Sequence, residues 1–355
     1  MKILFFSDLH AHAHEQFSRR LETGRNSRLQ DCLDIIQQVK DLLVSRRDIQ
    51  AVIFCGDLFH ARNKLDVDVF TSVYAQIKGL RNVCDSLGIY EPILLTGNHD
   101  QYTRIGEVHS LQPFREIARV IDEPTALSLV HRDTAIGDEV VKIKLYPHTS
   151  DVATLKQRIA AQENFHIMVI HQAVKEGRLG PGDITLAEVP LSTADLRLDE
   201  LKYCFAGDYH KRQWIGNFHY IGSPLQLTFG ERDETKAFTI LDTQTWTCEE
   251  VHTQAPRFFI FNTLADYEQA KISRDYSKDF VRIEAKSSAE VDKIKSEHPE
   301  VQVILSKNET ELARVSKDAL TEDRMLLEAY VGGDKLYEDP TALVSLGMSY
   351  LTGEE

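Results

Sequence analysis

The chain has 355 residues, 42% of them hydrophobic and 27% charged, a balance that fits a soluble globular protein and excludes a disordered or membrane-spanning one. A formal net charge of -14 excludes a protein that grips nucleic acid by overall electrostatics, so any DNA binding has to be local, metal-assisted or shared with a partner. Five widely spaced cysteines without a C-x-x-C pair exclude a disulfide framework and a thiolate zinc site, and a reducing cytoplasm is the expected setting.

Hydrophobic cores stop growing near roughly 250 to 300 residues, so one large domain with a smaller appendage is expected. Lys2 to Ser7 reads as a buried strand, too short for a signal-peptide core. Ser27 then opens a helix with Leu29, Cys32, Leu33, Ile36, Val39, Leu42 and Leu43 on one face. The pattern recurs as strand Ala51 to Cys55, helix Asp66 to Leu87 and strand Ile89 to Thr96, and again as helix Asp151 to Gln162 and strand Phe165 to Ile170. Such alternation predicts a largely parallel sheet covered by helices.

From Tyr203 the segments shorten into Cys204 to Gly207, Gln213 to Ile215, Phe218 to Ile221, Ala237 to Leu241 and Thr247 to His252, which read as antiparallel strands closing a second sheet. Pro256 marks a boundary. Beyond it, strands Phe258 to Phe261, Phe280 to Glu284 and Val301 to Leu305, with helix Ala289 to Glu297, form a small α+β module. The tail reads as helices Glu322 to Tyr330 and Pro340 to Leu351. The expected domains are therefore 1–255, 256–318 and 319–355.

Clusters of metal-binding residues follow the strands: Asp8-Leu9-His10, Gly56-Asp57-Leu58-Phe59-His60, Gly97-Asn98-His99-Asp100, His171 and Gly207-Asp208-Tyr209-His210. Ligands of open α/β sheets gather beyond the carboxyl ends of strands, so these loops are predicted to converge on one site. Carboxylate, amide and imidazole donors suit hard or borderline divalent ions. One aspartate can bridge two ions roughly 3.5 to 4 Å apart, and Asp57, central in the series, is the candidate bridge. His12 and His14 extend the alternation from His10 without fitting the spacing and read as loop histidines. His109, His131, His148, His166, His219, His252 and His298 have no motif around them and read as surface or satisfied core residues. Arg62, Lys64, Arg104, Lys211 and Arg212 follow the clusters and either clamp a phosphodiester backbone or form a solvated face. Arg19, Arg20, Arg25 and Arg28 form a second basic group that tracks DNA or keeps its loop soluble.

Singly each cluster is a common string, since a strand-end aspartate is often a turn former or helix cap. In this order they resemble the calcineurin-like metallophosphoesterase superfamily from Met1 to about Val251. Within it the chain is similar to the SbcD and Mre-eleven type of DNA double-strand-break repair nucleases, through these clusters and through Tyr220-Ile221-Gly222-Ser223-Pro224 with Phe229-Gly230-Glu231. The resemblance implies an α/β fold with a two-sheet β-sandwich flanked by helices, a small C-terminal α+β cap and terminal helices. It implies one ion held by Asp8, His10, Asp57 and His210, and another by Asp57, Asn98, His171 and Asp208. Manganese is the implied metal, with magnesium as the other choice. His99 would stabilise the phosphoryl charge or assist the leaving oxygen, Asp100 would fix its tautomer, and His60 would handle duplex ends. At Asp208 the chain departs from the family, which usually has a histidine there; the extra carboxylate favours magnesium or manganese over zinc.

The function implied is a manganese- or magnesium-dependent DNA exonuclease acting on duplex ends, with endonuclease action open, in recombination or repair. Implied partners are DNA, an SbcC or Rad-fifty type ATPase docked on the C-terminal helices, and a second copy in a homodimer. Met325, Leu326, Ala329 and Tyr330 have the helical spacing of a partner-binding face or of a small-domain core helix. Two alternatives stand beside this: a metallophosphatase or small nucleotide phosphodiesterase using the same site, and a non-catalytic scaffold that keeps the fold.

Overall fold

A computed structural model of the chain describes residues 1–103, 108–131, 137–161, 163–179 and 189–305. The first strand, β1 (Lys2–Phe6), explains its own apolar run: Ile3 and Phe5 enter one buried cluster and Leu4 and Phe6 another, so both faces are covered. Helix α1 (Ser27–Ser45) starts at Asn26, whose side chain accepts the amides of Arg28 and Leu29. After β2 (Ile49–Phe54), helix α2 (Val67–Leu87) is capped by Asp66 and stopped by Gly88 in left-handed backbone.

The strand expected from Ile89 to Thr96 contracts to β3 (Ile93–Leu95), because the chain is still leaving the α2 cap at Gly88 and Pro92 has no amide proton for a ladder. Three further strands, not anticipated, come next: β4 (Arg119–Ile121), β5 (Thr125–His131) and β6 (Glu139–Tyr146). Helix α3 (Val152–Ala160), β7 (Ile167–His171), β8 (Tyr203–Gly207), β9 (Gln213–Ile215), β10 (Phe218–Tyr220), β11 (Ala237–Asp242) and β12 (Thr247–His252) complete the large unit.

Two six-stranded sheets result, ordered β12-β11-β1-β2-β3-β4 and β5-β6-β7-β8-β10-β9. The late strands do not close the second sheet as an antiparallel set. β8 runs parallel to both β7 and β10, and β11 returns to pair antiparallel with β1 in the first sheet. The sheets pack face to face over Ile3, Phe5, Ile53, Ile143, Val169 and Phe205, with the Phe5 and Phe205 rings stacked at 4.1 Å. Helices α1 and α2 bury their apolar stripes on the outer face of the first sheet, and α3 covers the second. This is an α/β fold of two mixed sheets flanked by helices.

The chain divides into two compact units, Met1–Phe259 with Tyr276–Phe280, and Ile260–Asp275 with the described residues from Val281. A three-stranded sheet orders β13 (Phe258–Phe261), β14 (Phe280–Ala285) and β15 (Gln302–Leu305). Between them lie α4 (Leu264–Lys271), not anticipated, and α5 (Ser288–Glu297). Only Tyr267 of α4 is buried, which leaves no apolar stripe to read. The two expected C-terminal helices lie outside the described residues, and with them the docking segment. No helix among the described residues is long and apolar enough to cross a membrane.

Because Phe205 fills the space between the sheets, Phe205→Ala should cost about 3 to 5 kcal/mol in urea unfolding. A loss under about 1 kcal/mol, the scale of a surface change, would contradict the inter-sheet packing.

Candidate metal centre

The carboxyl ends of β1, β2, β3, β7 and β8 deliver the clusters to one place, and backbone pairing fixes the first two loops to each other. The Asp8 amide donates to the Gly56 carbonyl at 2.9 Å, and the His10 amide to the Asp57 carbonyl at 3.1 Å. Asp8, His10, Asp57 and Asp208 adopt φ of 51°, 47°, 62° and 93°, a region non-glycine residues rarely occupy unless their surroundings hold them there. Two glycines make the close approach possible: a Cβ at Gly56 would overlap the His171 ring, and one at Gly97 the Asp57 carboxylate.

Asp8, His10 and His210 bring their ligand atoms within 4.8 Å of one another, as do Asp8, Asp57 and His171. The Asp57 carboxylate lies between the groups, with Oδ2 at 3.4 Å from His10 Nε2 and Oδ1 at 3.4 Å from His171 Nε2. His171 Nε2 also meets Asn98 Oδ1 at 3.3 Å and Asp208 Oδ1 at 3.9 Å. The seven side chains expected as ligands are thus brought together.

These donors fit divalent cations. Asp8 Oδ2 is buried and has no hydrogen-bond partner, an arrangement that is costly for a carboxylate unless a cation faces it. His10 Nε2 and His210 Nε2 point at each other across 3.0 Å, so without a cation one nitrogen must spend a proton on the other. Burial pushes the Asp208 carboxyl up to about 6, and it pushes Asp8 upward too. Burial pulls the His171 imidazole down, but Asp57, Asp8 and Asp208 outweigh it and hold it at about 10. Burial would raise Asp57, yet His171 and His10 keep it below the usual carboxylate range. Buried Asp/His clusters of this kind are consistent with a dimetal site.

His99 lies beside the cluster, its amide donating to Asp57 Oδ1 at 2.8 Å. Its Nδ1 bonds the carbonyl of His60 at 2.7 Å, which leaves Nε2 available. Asp100 does not perform the tautomer-fixing expected of it. Its buried carboxylate instead accepts the amides of Asp57, Leu58, Phe59 and Gly97, because the loop after β2 turns its donors inward there. His60 is exposed, with its ring 5.6 Å from that of His99. His12 and His14 pack around His60 at ring distances of 5.3 and 5.1 Å, outside the ligand groups.

The basic residues separate. Arg212 is no phosphate clamp: its side chain is buried, pairs with Glu250 at 2.9 Å and donates to the Ile221 carbonyl and Thr239 Oγ1. Arg28 likewise is packed over the Phe258 and Phe280 rings. Arg62 and Lys64 are exposed, and Arg104 lies outside the described residues.

Sequence reasoning missed the support behind two of the expected ligands. His171 Nδ1 bonds the Cys55 carbonyl at 2.7 Å, directing Nε2 to the donors. His210 Nδ1 meets Glu231 Oε1 at 3.2 Å, and Lys236 Nζ binds Glu231 Oε2 at 2.7 Å, Ser223 Oγ at 2.8 Å and the His210 carbonyl at 3.1 Å. Glu231 and Ser223 belong to strings quoted for the resemblance, but no spacing rule tied either to His210.

Glu231→Gln should lower affinity for manganese about 10- to 100-fold, followed by the free-ion signal in electron paramagnetic resonance, because the carboxylate orients His210. Unchanged affinity would reduce that bond to packing. At pH 7 the metal-free His171 is protonated, and an ion needs its neutral nitrogen, so binding should release a proton. Affinity should then rise with pH toward about 10, by about tenfold per pH unit for one linked proton. Calorimetry in buffers of different ionisation enthalpy counts that proton, and a pH-independent affinity would contradict the assignment.

A family model described as calcineurin-like phosphoesterase matches residues 1–212, more than half of the 355-residue chain. Among solved structures the chain is similar to an archaeal phosphodiesterase, at 14% identity over 71% of this chain and 100% of that one, with a TM-score of 0.33. It is also similar to the calcineurin-like phosphoesterase YfkN of Bacillus subtilis, at 11% identity over 71% and 88%, with a TM-score of 0.37. A third likeness is to the nuclease MPE of Pseudomonas putida, at 15% identity over 61% and 66%, with a TM-score of 0.25. No curated protein matches the chain. With a matching family model over most of the large unit and the Asp/His clusters gathered at its strand ends, the chain belongs to the calcineurin-like phosphoesterase family of metal-dependent hydrolases.

Proposed function

We propose that the chain is a small nucleotide phosphodiesterase working at this two-ion centre, with manganese as the ion and magnesium as the other choice. The observation that carries the reading is Asp57, whose two carboxylate oxygens face different imidazoles, Oδ2 toward His10 and Oδ1 toward His171, as a bridge requires. Asp8, His10, Asp57, Asn98, His171, Asp208 and His210 would hold two divalent ions, which would supply Lewis acidity and lower the pKa of a bound water. The rest falls to the chain's own groups. Asp57 holds both halves of the site in register, and its Oδ1 anchors the backbone of His99. The His60 carbonyl fixes His99 Nδ1, so Nε2 is the atom that meets a phosphoryl oxygen or hands a proton to the departing one. Asp100 keeps the loop after β2 closed around Asp57 rather than joining the chemistry.

A second reading is a DNA-end nuclease subunit that works in a homodimer with an SbcC or Rad-fifty type ATPase. Its support is the resemblance through Gly56 to His60 and Gly97 to Asp100, together with the exposed His60 ring beside His99. The net charge of -14 confines DNA contacts to the neighbourhood of the centre.

The test is hydrolysis of bis(p-nitrophenyl) phosphate, p-nitrophenyl phosphate, a cyclic nucleotide and linear duplex DNA with manganese or magnesium. The first reading expects diester and cyclic nucleotide to be cleaved ahead of the monoester, with DNA left intact; shortening of DNA from its ends selects the second. His99→Ala should slow turnover about 100- to 10,000-fold. Wild-type rates in that variant would remove His99 from the mechanism, and no turnover with any ion would leave the scaffold alternative.

A further inference from the structure

Two of the imidazoles gathered at the centre, His60 and His99, belong to neither of the groups built on Asp8. With His10 they form a third group, in which a ligand atom of each lies within 4.8 Å of the others. The His60 and His99 rings stand 25° apart in plane with centroids 5.6 Å apart, and the His10 ring meets them edge-on at 5.5 and 4.7 Å. One bond fixes the pairing: His99 Nδ1 is held by the His60 carbonyl at 2.7 Å, so both side chains rise from one junction and His99 has Nε2 to offer. A tetrahedral ion with nitrogens at roughly 2.0 to 2.1 Å holds those nitrogens roughly 3.4 Å apart. His60 is exposed, and a turn of its side chain closes the remaining gap.

The donor chemistry separates this trio from its neighbours. The groups built on Asp8 mix carboxylate with imidazole, whereas His10, His60 and His99 supply nitrogen alone. Imidazole suits zinc ahead of manganese or magnesium, which prefer oxygen, and three imidazoles with a free fourth position make an open zinc site. We propose that His10, His60 and His99 form a third ion site that takes zinc, and that zinc there inhibits turnover by occupying His99 Nε2. The inhibition rests on the phosphodiesterase reading, in which that nitrogen meets the phosphoryl group; the ion binding does not. His10 is common to this trio and to the group of Asp8 and His210, so zinc here also competes with the ion of that group.

One equivalent of zinc is added to manganese-loaded protein, and X-ray absorption at the zinc edge reads its ligands while turnover of bis(p-nitrophenyl) phosphate is followed. Zinc should inhibit, with three imidazoles in its coordination shell. In His60→Ala both zinc affinity and inhibition, the latter measured against that variant's own zinc-free rate, should weaken at least about tenfold, the least that losing a ligand costs. Equal affinity in the two proteins, or a shell with carboxylate oxygens, places zinc among the Asp8 groups and overturns the site. Zinc held by three imidazoles without inhibition overturns the inhibitory role. Turnover with zinc binding independent of His60 leaves the hydrolase standing without this site. His60-dependent zinc in a protein that cleaves no ester supports the site and overturns the phosphodiesterase reading.

Discussion

Everything in the large unit is arranged around a buried carboxylate, that of Asp57, which touches two imidazoles and sits near two further acidic side chains. A group of that charge cannot be taken out of water without compensation, and hydrogen bonds alone do not suffice when Asp8 and Asp208 crowd the same space. Protonated His171 offsets part of the charge in the metal-free chain. Divalent ions held there would offset it more fully and would need the imidazole in its neutral form. The left-handed backbone at Asp8, His10, Asp57 and Asp208 follows from the same demand, since extended strands would carry these side chains past one another.

Much of this could be read from the amino-acid order. Apolar runs ending in Asp, Asn or His mark a strand whose exit loop meets other exit loops, and that logic predicted the convergence of the five clusters without any knowledge of pairing, whereas the choice of seven ligand residues among them came from the family resemblance. What it lacked was pairing itself. The late strands β8 to β12 have the short lengths and turn residues of an antiparallel set, but which edge each joins depends on contacts far along the chain: Ala237–Asp242 lies against Lys2–Phe6. Strands β5 and β6 do alternate buried with exposed residues, a legible signal that sat in a stretch without motifs. Helix α4, with one buried side chain, carried no signal to find.

The same limit explains the misassigned roles. Asp100 follows His99 directly, which makes it a natural partner on paper. In the fold, adjacent residues point in different directions, and the carboxylate turns into the loop after β2 while a backbone carbonyl 39 residues earlier meets the imidazole. Arg212 shows the converse. Its position two residues past His210 suggested a phosphate contact, yet the side chain runs inward to Glu250 and backbone carbonyls, where it ties Ile221, just past β10, to β11. Charge next to a motif says little until the direction of the side chain is known. Glu231 and Lys236 gain their importance the same way, from a turn that brings them behind His210.

The donors are drawn from both sheets: Asp8, His10, Asp57 and Asn98 follow strands of the first, while His171 ends β7 and Asp208 and His210 follow β8 of the second. Ions held there would be gripped from both sides and act as a rivet through the sandwich, resisting separation of its layers as well as serving chemistry. With free ion at 100 times its dissociation constant, such a rivet adds about 2.7 kcal/mol per site against unfolding. Chelation would therefore loosen the architecture and silence the enzyme together, and a cell short of metal would hold this protein in a softer, more protease-sensitive form.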